Sequence, residues 1–238
     1  MTSHFFAETE KLKKNILSLC TLVEESVRFS IQSVIDLDHD LAKKVIESDN
    51  QIDSVEVEIE EECLKILALH QPVAKDLRFI IAVLKINNDL ERIADLAVNI
   101  AERTLALSEQ PSKKLTKVFI DMSDSAVHML KKSIDSLIYW NSNIAVYVCE
   151  ADNRVDDLYR SSFGLVKECI LEDVSKIDFF LLYASIFRIL ERIADQTTNI
   201  AEDVIYMSEG GIVRHTKLED KEKKVKRGIQ KETVTRFW

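Results

Sequence analysis

The sequence predicts an all-α fold: two tandem, pseudo-symmetric three-helix bundles built from six long helices. Three observations predict it. Apolar residues recur at helical spacing along almost the whole chain. Only two prolines occur, Pro72 and Pro111, and no glycine precedes Gly164, whereas strands joined by tight turns need more of both. The text also repeats. Residues 90–102 read LERIADLAVNIAE and residues 190–202 read LERIADQTTNIAE, with twelve of the twenty positions 90–109 matched at an offset of 100.

The first helix is expected over about 7–37, with Leu12, Ile16, Leu19, Val23 and Val34 on one stripe. The polar run 36–40 breaks it and offers Asp38 as the N-cap of the second helix. That helix carries Val45, Ile52, Val55, Ile59, Cys63, Ile66 and Leu67 to about His70. Pro72 then marks a turn, because the residue before a proline is biased away from helix. A third helix places Leu77, Ile80, Leu84, Leu90, Ile93, Ala97 and Ile100 on its stripe and ends near Ser108. The second half repeats the plan: a helix over about 113–139, a break at 140–143, a helix to about Glu172, and a last one over about 178–208. Gly210 and Gly211 stop it as a C-terminal cap. At about 1.5 Å per residue, helices of roughly 26–32 residues are about 40–48 Å long. The expected division is 1–110, 111–213 and a basic tail, 214–238, expected to be mobile.

The net charge is −9, unevenly spread. Residues 214–238 hold nine Lys and Arg against four Asp and Glu, +5, which leaves −14 on the body. Such a body is repelled by nucleic acid and anionic lipid, so neither is an expected partner. No apolar run approaches the length of a transmembrane helix. Cys20, Cys63, Cys149 and Cys169 lack CxxC spacing and lie in apolar helical contexts, as reduced core residues of a cytoplasmic protein do.

Acidic pairs carry the chemistry. Residues 47–53 read ESDNQID and 150–156 read EADNRVD, which sets Asp49 and Asp53 against Asp152 and Asp156. The LERIAD segments add Glu91 and Asp95, and Glu191 and Asp195. A spacing of four puts both acids of a pair on one helix face, about 5–6 Å apart, where they repel. The pairs at 51 and 93 are centred on 72, the turn itself; those at 154 and 193 are centred on 173.5, also a turn. Antiparallel helices therefore bring each half's four acids to one level, about 30 Å from its turn. Four carboxylates together need protons or cations, and an all-oxygen donor set suits hard ions. Asn99 and Asn199, one turn further along the same face, are additional ligand candidates, and Glu102 and Glu202 weaker ones. The alternative is a solvated face laced with Arg92 and Arg192.

These motifs, with Gln71–Arg78 reading QPVAKDLR, resemble the PhoU family of phosphate-signalling regulators over about residues 7–210. The resemblance implies two symmetric three-helix bundles whose acidic motifs hold multinuclear metal clusters. Iron is the first expectation, with zinc, manganese, magnesium or calcium as alternatives. The first cluster would use Asp49, Asp53, Glu91 and Asp95, and the second Asp152, Asp156, Glu191 and Asp195. It further implies a negative regulator of phosphate uptake and phosphate-starvation signalling. Its partners would be the phosphate ABC transporter's ATPase subunit and a phosphate-sensing histidine kinase. Two departures stand out. The second half has SKIDF at 175–179 where the first has its signature, and the basic tail is longer than the family leads one to expect.

No Gly-rich phosphate loop, HExxH or plausible Ser/His/Asp set is present, so the expectation is a non-enzyme. The competing reading is a carboxylate-bridged di-iron oxidase, which would want Glu-x-x-His motifs. None of His4, His39, His70, His128 and His215 stands three residues after a clustered acid. A homodimer is the default assembly, since closed two-fold pairs are the commonest.

Overall fold

A computed structural model describes residues 3–109 and 111–210. Within them lie six helices: α1 (Ser3–Asp36), α2 (His39–His70), α3 (Ala74–Ala106), α4 (Lys113–Tyr139), α5 (Ser142–Glu172) and α6 (Ile177–Glu209). A single 3-10 turn, Val174–Lys176, leads into α6. No strand occurs among the described residues, and no described helix is long and apolar enough to cross a membrane. The basic tail, 214–238, lies outside the described residues.

Helix boundaries follow local chemistry. The side chain of Asp38 accepts from the Asp40 and Leu41 amides and so caps α2; Asn141 does the same for α5 through Asn143 and Ile144. The residue before each cap is left-handed, Leu37 at φ 52° and Trp140 at φ 51°. A side chain with a Cβ is strained there by about 1 kcal/mol or more, and both side chains are apolar and packed on the core. Trp140 also stacks on Phe79, with ring centroids 5.4 Å apart. The two turns thus repeat at an offset of 103, down to the Asp38 and Asn141 amides donating to the Ser33 and Ser136 carbonyls at 2.9 Å.

Each half is an up-down-up bundle, α1–α2–α3 and α4–α5–α6, and the halves join where α3 packs on α6 and, less extensively, α1 on α4. The interior is one main cluster running through both, from Leu12 and Ile16 through Leu90, Ile93 and Ala94 to Ile193, Ala194 and Ile200, with a small satellite of Ala42, Val45 and Ala101 between α2 and α3. Helices α3 and α6 run antiparallel. Lys85, early in α3, pairs with Asp203, late in α6, at 3.3 Å. Arg103, late in α3, donates to Ser185, early in α6, at 3.0 Å. These pairs exchange under the 100-residue offset, so a pseudo-two-fold relates the bundles across this seam.

Most expected stripe residues are buried, and two differences are instructive. Leu77 is 39 % exposed, whereas Phe79, two residues on, is buried. Leu77 sits in the first turn of α3, where Phe79 instead turns inward and stacks on Trp140. Val55 and Leu67 lie at the edge of the core, half-buried against it.

Candidate metal centres

Helix α2 brings Asp49 and Asp53 to the flank of α3 that carries Glu91 and Asp95, because both pairs lie one helical turn apart and equally far from the turn at Pro72. Asp49 and Glu91 are half-buried, and Asp53 and Asp95 more exposed. Burial, then the charges of Asp53 and Asp95, push the Asp49 carboxyl up to about 6. Glu91 is also raised, by burial, then Asp95, Glu56 and Asp53, and Arg92 opposes this least of the acting charges. A face neutralised by its arginines would not show these directions.

A fifth acid that the four-residue spacing does not single out, Glu56, belongs to this group. Glu56 lies three residues after Asp53, and burial, Glu60 and Asp53 raise its pKa. The amide of the buried Asn87 donates to its Oε1 at 2.8 Å and to its backbone carbonyl at 3.0 Å. The signal existed in sequence as an i, i+4, i+7 row on α2. It was masked because acids crowd residues 56–62 and because the duplicated half has none at the equivalent position.

The second half assembles Asp156 of α5 with Glu191 and Asp195 of α6. Burial raises Glu191 first, then Asp195 and Asp156, while Arg188 and Arg192 oppose. Asp195 is raised by burial, then by Asp156. Asp152 lies half-buried one turn before Asp156. Here the surroundings differ. Tyr159 stands where the first half has Glu56 and the buried Phe187 where it has Asn87. Arg160 pairs with Asp156 at 3.2 Å. The first group is therefore richer in uncompensated acid than the second.

Metal ions suit these donors on chemical grounds, although among the described residues no three of these carboxylates bring an oxygen each within 4.8 Å of the others, so an ion would have to draw them together. All donors are carboxylate oxygens, which suit hard cations and bridge more than one ion. In the first group, Asp49 Oδ1 is buried and receives no hydrogen bond among the described residues, an orphaned acceptor facing other acids. Asn99, the additional candidate, is drawn toward the seam: its Oδ1 accepts from Arg103 at 3.3 Å and its Nδ2 donates to the Asp95 carbonyl at 2.7 Å. Asn199 Nδ2 reaches Gln196 Oε1 at 3.5 Å. Glu102 is exposed and Glu202 buried.

A family model for the PhoU domain matches the chain twice, over residues 16–104 and 119–204. The chain is 36% identical over 208 residues to the phosphate-specific transport system accessory protein PhoU homolog 1 of Thermotoga maritima, covering 87% of this chain and 90% of that protein. It is 38% identical over 216 residues to the phosphate-specific transport system accessory protein PhoU homolog of Aquifex aeolicus, covering 91% and 98%. Its fold resembles the crystal structure of PhoU from Pseudomonas aeruginosa, with a TM-score of 0.83, 35% identity, and coverage of 87% of this chain and all of that one.

Proposed function

The chain belongs to the PhoU domain family, and on that premise we propose that it is an accessory protein of a phosphate-specific transport system that binds metal through two carboxylate clusters. The observation that carries the first half of this reading is coverage: relatives bearing that description align with about nine-tenths of this chain and of themselves. The crowded acids support the second half. Metal ions held by Asp49, Asp53, Glu91 and Asp95, with Glu56 beside them, and by Asp152, Asp156, Glu191 and Asp195 would neutralise acidic charge that Asn87, Arg92, Arg160, Arg188 and Arg192 offset only in part. The ions would supply that neutralisation and a rigid cross-link between α2 and α3, and between α5 and α6. Iron heads the expected ions.

The protein acts by docking rather than catalysis, in the cytoplasm and as a homodimer. It binds the transporter's ATPase subunit and a phosphate-sensing histidine kinase, and so restrains phosphate uptake and the starvation response. Co-purification with the tagged ATPase subunit and kinase, each from the same organism, tests this. Recovery of this chain with either supports the docking reading; recovery with neither, in the presence of iron and of phosphate, overturns it. Light scattering after gel filtration tests the dimer, and a mass of one chain, near 27.3 kDa, rules it out.

A further inference from the structure

A second kind of ligand set lies at the opposite end of the first bundle. His4 and Glu8 stand four apart in the first turns of α1, and His70 closes α2. The bundle brings them together: His70 Nε2 is 2.6 Å from Glu8 Oε2, and His4 Nδ1 is 3.5 Å from the same oxygen. One donor atom from each residue lies within 4.8 Å of the other two. From Asp53 to His70 is seventeen residues of α2, about 25 Å, so this set is separate from the carboxylate clusters. Nothing in the proposed transport role requires it.

We propose that His4, Glu8 and His70 form a binding site for a divalent transition ion that prefers imidazole, of which zinc is the type and cobalt and nickel the close substitutes. Two imidazoles and one carboxylate are a known ligand combination for such ions, with further positions left to water. Bond lengths of about 2.0–2.1 Å place neighbouring donors roughly 3.3 Å apart around a tetrahedral ion, and the spacing here comes within small side-chain rotations of that. The supporting contacts are built in. Glu8 is 8 % exposed, and Lys65 Nζ lies 2.8 Å from its other oxygen, Oε1, which leaves Oε2 turned to the two imidazoles. Phe5 packs edge-on against the His70 ring, with centroids 5.3 Å apart, and limits its rotation. His70 also ends its helix, where the backbone dipole favours positive charge. An ion there would clasp the start of α1 to the end of α2.

The test uses the full, untagged chain with zinc alone as the probe, after chelator treatment. Calorimetric titration should show one zinc equivalent per chain, beyond any that the carboxylate clusters take up, that disappears in His4→Ala and persists in Asp95→Ala. The His4 side chain is 71% exposed, so that variant keeps its fold. X-ray absorption at the zinc edge should detect imidazole scattering, which clusters made only of carboxylates cannot produce. That scattering should persist in Asp95→Ala and vanish in His4→Ala and His70→Gln. Oxygen-only scattering in the parent protein overturns the site, as does zinc stoichiometry unchanged by His4→Ala. A failure to bind transporter or kinase would leave both readouts untouched, so the two readings fail separately.

Discussion

Asp49 carries the largest upward shift among the clustered acids, from 3.8 to about 6, and its effect on stability has a definite sign. The folded state holds this proton more tightly than the unfolded chain does. Its contribution is therefore fully present below about pH 4 and is lost as pH rises through about 6. In chelator-treated protein, Asp49→Asn should raise the unfolding free energy read from urea denaturation at pH 7.5, by about 1 kcal/mol once solvent screening of a half-exposed group is allowed for. It should leave that free energy at pH 4 nearly unchanged. A variant equally affected at both pH values would mean that crowding is not the cause. With metal restored at pH 7.5 the order should reverse, because the ion binds the ionised carboxylate. Asp95→Ala and Asp195→Ala should each remove roughly one cluster's worth of metal, read by elemental analysis; unchanged content in both would take these residues out of the sites. Cysteine behaviour is a further check at this scale. All four cysteines are buried, and burial pushes Cys20 and Cys63 up to about 12. A thiol-specific chromogenic reagent at pH 8 should react with the cysteines only after denaturation.

At the scale of helices, the two halves share a plan but not their chemistry. Helix α2 sets Glu56 beside the first acid group and α3 clamps it with Asn87, whereas α5 and α6 offer Tyr159 and Phe187 in the same places. The first group should therefore bind metal more tightly than the second. Glu56→Gln should weaken the tighter class of sites in an iron or manganese titration and leave the weaker class as it was. A loss confined to the weaker class would contradict the assignment. The capped ends make an independent comparison. Asp38→Ala and Asn141→Ala each remove a side chain that accepts from two helix-start amides, and each should cost about 1 kcal/mol in denaturant unfolding.

For the whole molecule, the continuity of the core matters more than the repeat. The apolar cluster passes from α1–α3 into α4–α6 through the α3–α6 seam, and Lys85–Asp203 and Arg103–Ser185 tie that seam near both ends. Separating the halves would expose apolar faces of α3 and α6 together. Calorimetry of the metal-free chain should then record one transition whose calorimetric and van't Hoff enthalpies agree. Two resolved transitions would show that each bundle holds by itself.

Much of this was legible in the residues alone. Helix ends at Asp38 and Gly210, and the level-matching of 49/53 with 91/95, need only helical periodicity and the position of a turn. Local chemistry decides both, since a cap or a one-turn spacing acts within a few residues. Glu56 was not legible, because its role depends on which of several neighbouring acids the α3 face meets. The meeting of His4, Glu8 and His70 was hidden for a similar reason: sixty-two residues separate Glu8 from His70. The seam between α3 and α6 also required coordinates, because the sequence repeat is equally compatible with bundles that never touch. Periodicity reports which side of a helix is apolar; only packing decides which neighbour covers it, and which polar groups are left facing one another.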